Sequence, residues 1–465
     1  FALDANTTAA NNTAVGYNAM TGTTTGTANV AVGTASLVSN TTASNNVAIG
    51  YAALNANTTG TVNTAVGTNA LAANTTASHN TAIGKDALAA NTTGENNIGV
   101  GRDAGQSITT GTNNIAIGVE AMETVTTSSN NIALGYAALK ANSSGGDNVA
   151  IGRDALNDNT TASGNVAVGT ECLSKNTTGG NNTAVGFQAL ENSTTGAQNT
   201  AVGYQAMEEV TTGIDNTAIG AFSADTLTTG SDNTSVGYDS LTNITTASRN
   251  SAFGESALKS ITTGTRNIGV GSLAGQTTTT GNYNICIGYD SRTSAASSSA
   301  QIVIGDSVYG TANNAVFIGT SAGHVRNDFL DDATWDQVSD VRKKTNIEDS
   351  SMGLDFINKL RTVIFNFKAP SEFPEEWAEY NANQTEPLTE NKKMGLIAQE
   401  VKEAIDELGI EHYDGTWSEK PNGQQEIGPS DYIFPLIKAV QELSAEVEQL
   451  KQQAHDKCDN NNNEE

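Results

Sequence analysis

The chain has 465 residues and a formal net charge of −27 at pH 7, with a pI of about 4.4. This acidity makes a nucleic-acid backbone or an anionic membrane a poor partner, and no run of about 20 apolar residues is present to span a bilayer. Three cysteines and four histidines lie far apart, so we expect no disulfide framework, metal site or cofactor. The chain starts at Phe1 without an initiator methionine or a secretory signal, which indicates a fragment or a processed product.

Composition divides the chain at Ser339. All 6 prolines lie behind this point, with 26 of the 50 acidic and 13 of the 23 basic residues, whereas 40 of the 46 glycines lie in front of it. One globular domain does not combine two such compositions, so we predict at least two domains.

The front part is a strict 17-residue repeat. Asn-Thr-Ala-Val-Gly at Asn12–Gly16 returns as Asn-Val-Ala-Ile-Gly at Asn46–Gly50, and 18 such glycines follow one another at this constant step as far as Gly305. Gly319 comes after a shorter step and closes the array with a shorter unit. A period this strict predicts stacked coils in which each unit contacts only its neighbours.

Each unit contains a predicted strand that ends at its glycine. A β-branched, a small and a bulky apolar residue precede the glycine, as in Val47, Ala48 and Ile49. This alternation predicts a Thr/Val/Ile face and an alanine face, and one unit is long enough for a coil of strand, turn, strand and turn. The asparagine that opens each strand would stack on its counterparts as a hydrogen-bonded ladder. The apolar core of one coil is thin, so we expect three chains packed about an axis, with their alanine faces towards it.

The repeats resemble the head repeats of trimeric autotransporter adhesins and the Asn-Thr-Ala-Val-Gly-Tyr arrays of phage tail fibres, over most of residues 12–319. Gly99–Gly105 and Gly269–Gly275 have the glycine spacing of nucleotide-binding loops, but both are ordinary rungs, without the helix and acidic residue that such loops need. The residue after each rung glycine varies freely, and tyrosines at this position, such as Tyr204, could stack on sugars.

The back part combines short helices and strands. Its pattern predicts a helix over Met352–Leu360, a strand over Val363–Phe367 and a Pro-rich acidic insertion over Ala369–Glu390. The segment Gly395–Val401 then runs into a helix that ends at Leu408. A long last helix begins at Asp431 and carries a heptad seam typical of a short parallel coiled coil, formed by Leu436, Val440, Leu443, Val447 and Leu450.

Three motifs in this part resemble the C-terminal intramolecular chaperone domain of endosialidases, phage tail fibres and spikes. They are Ser-Asp-Val-Arg-Lys-Lys from Ser339, Gly-Leu-Ile-Ala-Gln-Glu-Val from Gly395, and the last helix from Tyr432. The resemblance covers residues 339–452. It implies a trimerising domain that guides folding of the β-structured stalk and then cuts itself off at the Val338–Ser339 bond, with Ser339 and Lys344 as a catalytic dyad.

The residues around this bond suit such chemistry. A serine hydroxyl needs a base, and without a nearby histidine a deprotonated lysine can serve. Arg342 and Lys343 place two cations beside Lys344, which favours its neutral amine, and Asp340 would orient the group. Spacing alone favours a basic turn that binds acidic neighbours, and the resemblance reverses this preference.

The sequence thus predicts four segments: a repeat stalk over 1–319, a connector over 320–338, a chaperone domain over 339–452 and a disordered acidic tail over 453–465. The predicted fold class is a mainly β stalk, a trimeric parallel β-roll or β-helix of 17-residue repeats, followed by a small α+β chaperone domain that ends in a trimeric coiled coil.

Our first hypothesis is a homotrimeric tail fibre of a virion that attaches to a host through a cell-surface glycan or another receptor, and to other tail proteins through a missing N-terminal region. The second is a bacterial or algal surface adhesin with the same self-cleaving chaperone. The third is a polysaccharide depolymerase, which ranks last because regular repeats lack the loops that carry paired carboxylates. We expect no nucleic acid and no membrane among the partners.

Overall fold

The computed structural model describes residues 2–328, 341, 344–377, 379–387, 391–410 and 416–461. The chain divides into two compact units, Phe1–Val338 and Ser339–Glu465. No helix among the described residues is both long enough and apolar enough to cross a membrane.

The first unit is a parallel β-solenoid, as the repeat predicts. Each coil contributes one short strand that pairs in parallel with the strand of the next coil, and register partners occupy the same position in successive repeats, as Ala48 and Ala65 do. The strands of the coils are β1 (Thr13–Val15), β2 (Val30–Val32), β3 (Val47–Ile49), β4 (Thr64–Val66), β5 (Thr81–Ile83), β6 (Ile98–Val100), β7 (Ile115–Ile117), β8 (Ile132–Leu134), β9 (Val149–Ile151), β10 (Val166–Val168), β11 (Thr183–Val185), β12 (Thr200–Val202), β13 (Thr217–Ile219), β14 (Thr234–Val236), β15 (Ser251–Phe253), β16 (Ile268–Val270), β17 (Ile285–Ile287) and β18 (Ile302–Asp306).

The core of the solenoid lies inside each coil of the single chain. The small residue at the middle of the strand is fully buried, for example Ala82, and so is the leucine or methionine of the following turn, for example Leu88. The expectation that the alanine face points towards a common axis of three chains is therefore wrong. The coil is so narrow that only a small residue fits on the inner side of the strand, while the Thr/Val/Ile side chains point outwards.

The rest of each coil is built of turns and bends rather than the second strand that we expected. Its backbone still bonds to the neighbouring coil, as the N–H of Leu88 donates to the carbonyl of Ala104 at 3.0 Å and that of Thr92 to the carbonyl of Thr109 at 2.9 Å. This arrangement needs residues other than glycine at positive φ, such as Leu88 at 49°. Hydrogen bonds between coils therefore hold a backbone shape that the residue types alone do not favour.

Buried asparagines form two columns in the solenoid, a continuous one from Asn29 to Asn284 and a second that is limited to the runs Asn40–Asn91 and Asn142–Asn176. In the column that opens the strands, Asn80 Oδ1 accepts from the backbone N–H of Asn97 at 2.8 Å, and Asn97 Nδ2 donates to the carbonyl of Gly111 at 2.8 Å. This is the predicted ladder. The second column lies in the bends, where Asn74 Nδ2 donates to Asn57 Oδ1 at 2.8 Å and to the carbonyl of Ala77 at 3.0 Å. Hydrogen bonds make burial of these amides favourable, and of these asparagines only Asn91 and Asn176, at the ends of the two runs, have an Oδ1 without a partner among the described residues.

The array ends as the shorter last unit predicts, and then adds a hairpin. Strand β19 (Ala315–Thr320) pairs in parallel with β18 and places Gly319 beside Gly305. Strand β20 (Gly323–Asp328) turns back and pairs with β19 in antiparallel register. Strand β20 lies within residues 320–338, the range that we had expected to be a connector.

Among its described residues, the second unit contains three α-helices, two 3-10 helices and two small pairs of antiparallel strands. Its elements are α1 (Leu354–Lys359), β21 (Val363–Phe365), a 3-10 helix (Pro370–Glu372), β22 (Lys393–Gly395), α2 (Ala398–Leu408), β23 (Ser418–Glu419), β24 (Gln425–Glu426), a second 3-10 helix (Pro429–Tyr432) and α3 (Ile433–Asn461). Strands β21 and β22 are antiparallel, as are β23 and β24.

The predicted helices are present, and so is the strand from Val363, which ends at Phe365 rather than Phe367. Strand β22 and the hairpin of β23 and β24 were not predicted. Helix α3 continues through Asn461, so residues 453–461 are helical although the sequence assigned them to a disordered tail. Glutamine, alanine and lysine, which favour helices, follow the heptad seam and extend the helix.

Candidate functional site

The predicted cleavage site lies almost entirely outside the described residues. Val338, Ser339, Asp340 and Arg342 are all outside them, so the geometry of the predicted dyad is untested. Lys344 is described and lies on the surface of the second unit, where its backbone N–H donates to the carbonyl of Val341 at 3.0 Å.

The domain that follows this site is organised around one aromatic pair. Phe356 of α1 is fully buried and stacks on Tyr432 just before α3, with ring centroids 6.4 Å apart. The Tyr432 hydroxyl donates to the carbonyl of Thr416 at 2.9 Å, and burial, with Asp431 nearby, raises the pKa of Tyr432 to about 12. Met352, Val401, Ala404 and Ile405 complete this core.

A carboxylate of α3 fixes the start of α1. Glu442 Oε2 accepts from the backbone N–H of Leu354 at 2.6 Å, which satisfies one of the unpaired donors that every helix start presents. Two ion pairs then join α1 and its following loop to α2, between Lys359 and Glu407 and between Arg361 and Glu400. No local pattern indicates the role of Glu442, because its partner lies 88 residues away.

The predicted heptad seam forms an exposed apolar stripe on α3. Leu436, Val440, Leu443, Val447 and Leu450 all lie on the surface of this chain, and Val440 and Leu450 are 63% and 64% exposed. A groove of about 540 Å³ adjoins the start of this stripe, lined by Leu436 together with Ile357, Phe365 and Met394. Across the β21–β22 pair, Ile364 and Met394 are register partners and both face solvent. One helix and one pair of strands thus expose far more apolar surface than scattered single residues do.

The surface of the stalk carries two features of note. Phe187, Tyr204, Phe222 and Tyr238 form a column of rings in four successive coils, with centroid distances of 5.4, 5.2 and 6.1 Å. Asp225 lies in one of these coils with a carboxylate oxygen, Oδ1, that is buried and has no hydrogen-bond partner among the described residues. Burial raises the pKa of Asp225 to about 6.

The described residues contain no cluster of three or more His, Cys, Asp or Glu side chains that could hold a metal ion. Cys172 and Cys286 are buried in small-residue positions of the solenoid. Burial raises the pKa of both thiols to about 12, which leaves them unreactive near neutral pH.

Residues 339–410 match the model of a peptidase family, Peptidase S74, described as the chaperone of endosialidase. The match begins at Ser339, where the chain also divides into its two compact units, and it ends before α3. No curated protein matches the chain. The match confirms the resemblance predicted from the motifs at Ser339 and Gly395, and the motif in α3 lies beyond it: a β-solenoid stalk precedes a region similar to the chaperone of endosialidase.

Proposed function

We propose that this protein is a homotrimeric fibre of a virion tail, and that its C-terminal domain assembles the trimer and then cleaves the chain between Val338 and Ser339. The observation that carries the proposal is the family match, which starts at Ser339 and follows a solenoid of 18 coils. The two parts have separate roles: the solenoid is permanent and the chaperone domain is temporary.

The trimer is supported by the apolar stripe of α3. A helix that exposes five apolar residues at alternating spacings of 4 and 3 is stabilised when it packs against copies of itself. Parallel association of α3 would also align three chains at one end. The solenoid needs this alignment because a slip of one chain by a whole coil relative to the others would preserve nearly every contact between chains, so the repeat specifies the register between chains weakly.

The proposed cleavage is an intramolecular acyl shift. The Ser339 hydroxyl oxygen attacks the carbonyl carbon of Val338 while Lys344 accepts the hydroxyl proton. Lys344 then gives this proton to the nitrogen of Ser339, which leaves as an amine when the C–N bond breaks. The resulting ester between Val338 and the Ser339 oxygen is opened by water, which leaves a carboxylate on Val338. In this proposal Asp340 orients the reacting group, and Arg342 keeps Lys344 neutral by charge repulsion.

Replacing Ser339 tests the cleavage. Wild-type chain should yield fragments 1–338 and 339–465 by mass spectrometry, whereas Ser339→Ala and Lys344→Ala should each remain intact and trimeric. Ser350→Ala is the matched control because it removes a nearby hydroxyl of the same domain and should leave cleavage unchanged. Cleavage of the Ser339→Ala chain at the same bond would show that this serine is not the nucleophile.

The ring column of Phe187, Tyr204, Phe222 and Tyr238 supports a glycan as the receptor. Exposed aromatic faces are apolar platforms with polar edges. Lys259 forms an ion pair at 2.8 Å with Asp239, the residue after Tyr238, so charged groups border the column. A virion fibre and a surface adhesin would use such a platform alike, and no observation favours the adhesin.

A glycan array tests whether the ring column binds sugars. Tyr204→Ala should lose binding because Tyr204 contacts a ring on either side. Tyr51→Ala is the control, since it removes an exposed tyrosine at the corresponding position of a distant coil. Equal glycan binding by both variants would show that the ring column is not the receptor-binding site.

A further inference from the structure

The outer face of the solenoid sheet is an apolar surface that runs along the whole stalk. We define the outer face as the first and third residues of strands β1 to β18, from Thr13 and Val15 to Ile302 and Ile304. The middle residue of each of these strands is turned inwards, whereas the outer residues are never buried. Ile219 and Phe253, for example, are each 42% exposed.

No position of the outer face carries a charge. Its residues are all valine, isoleucine, threonine, leucine, phenylalanine or serine. Charged side chains of the same coils lie in the turns, where they pair with each other between coils, as Arg102 does with Glu120 and Lys140 does with Glu120. A surface open to water has no reason to exclude charges over its whole length, whereas a packed surface does.

The area of the outer face fits a protein interface. A three-residue strand is about 10 Å long and 18 coils rise through about 85 Å, so the face covers about 850 Å². The largest apolar patch on an ordinary monomer is about 300–600 Å², and each partner of a stable complex contributes about 800 Å².

In one strand of the outer face, an unusually large side chain is accompanied by an unusually small one. Phe253 is the one aromatic residue of the outer face, and Ser251, in the same strand, is its one serine. The two side chains point to the same side of the sheet. Such compensation is needed only if the residues of one level meet in a confined space.

We propose that the outer face packs against the outer faces of two further copies of this chain, level with level, around a common axis. This inference rests on the proposed homotrimer and adds the surface that forms it. The Thr/Val/Ile side chains then fill the space between the three sheets, and the alanines remain in the cores of the individual coils. Three Phe253 rings share one level with three small Ser251 side chains.

Cross-linking with a short bis-maleimide tests the contact. Ile219→Cys places a thiol on the outer face, and Thr229→Cys places one in the exposed bend that follows. Both are made with Cys458→Ser, while Cys172 and Cys286 are buried and unreactive. Light scattering first gives the oligomeric state. A trimer in which only the Ile219→Cys chains become linked supports the proposal.

The other outcomes separate this inference from the proposed function. A trimer in which the Ile219→Cys chains stay unlinked overturns the outer-face contact but leaves the trimer intact. A monomer overturns the homotrimer and the contact together.

A second pair of variants does not depend on chemical labelling. Ser251→Ile adds bulk at the level of Phe253, and Thr234→Ile makes a similar change one coil earlier, beside Val236. If the face is packed, Ser251→Ile should lower the dissociation temperature of the trimer because that level becomes overpacked. Thr234→Ile should be tolerated, since Ile98 and Val100 already form the same pair in β6. On an exposed face both variants would be neutral or stabilising, and that result would overturn the proposal.

Discussion

The rung glycines offer a direct test of how the coils are held together. Gly118 has φ of 136°, and an added Cβ would lie 2.2 Å from the carbonyl oxygen of Gly135 in the next coil. Alanine in this backbone region costs about 1–3 kcal/mol. Relief of the clash must also lengthen the bond from the Gly135 N–H to the Ile117 carbonyl, now 2.8 Å, at a further cost of about 1 kcal/mol. We expect Gly118→Ala to destabilise its coil by about 2–4 kcal/mol.

Gly146→Ala is the matched control. Gly146 has one atom within 4 Å of the added Cβ, the carbonyl oxygen of Ser129 at 3.1 Å, and its φ is not positive. Alanine there should change stability by less than about 1 kcal/mol.

Hydrogen exchange measured by mass spectrometry is the appropriate assay, because a long repeat array need not unfold in a single step. For Gly118→Ala we expect peptides that cover β7 and β8 to exchange about 30- to 1,000-fold faster, while distant coils keep their protection. A Gly118→Ala chain as protected in β7 and β8 as the Gly146→Ala chain would refute the proposed role of the glycine column.

Three further predictions concern the ladder, a buried carboxylate and the helix stripe. Asn74→Val should destabilise its coil by about 1–3 kcal/mol more than Asn91→Val destabilises its own. Asn91 ends its ladder, and its Oδ1 already lacks a partner among the described residues, whereas Asn74 Oδ1 accepts from Asn91. Hydrogen exchange of the two coils measures the difference. The pKa of Asp225 is raised from 3.8 to about 6, so the folded coil binds the proton more tightly and should become more stable as pH falls from 7 towards 4. Asp225→Asn should remove this part of the pH dependence and slow hydrogen exchange of the coil at pH 7. An unchanged pH profile in this variant would contradict the burial argument. Leu443→Glu should dissociate the uncleaved trimer in light scattering, whereas Ala445→Glu, off the heptad seam, should not; a stable Leu443→Glu trimer would show that α3 does not hold the chains together.

The period of the repeat was sufficient to predict the solenoid, its rungs and its register. A constant step and a glycine at the end of each strand leave little choice in how neighbouring coils pair, and the shorter step to Gly319 was correctly interpreted as the last rung. The direction of the alanine face was wrong. Alternation divides a strand into two faces but does not state which one lies inside, and here the width of the coil decides in favour of the smaller residue.

The turns could not be predicted because their backbone is set by neighbouring coils. Leucine and methionine at positive φ, such as Leu88 and Met122, have no sequence signal, and the hydrogen bonds that hold them exist only in the stack. In the second unit the heptad spacing predicted α3, but the contact of Glu442 with the start of α1 joins residues too far apart to be recognised from one sequence.

The hairpin of β19 and β20 gives the stalk a protected end. A parallel solenoid that stopped at β18 would offer a row of unpaired backbone groups, and such an edge recruits strands from other molecules. Strand β20 covers this row in antiparallel register, and it is a short strand of six residues that includes His324, Arg326 and Asn327, features typical of edges that resist further pairing. If the chain is cut after Val338, the released fibres should therefore remain separate in solution, because their ends do not act as templates for further strands.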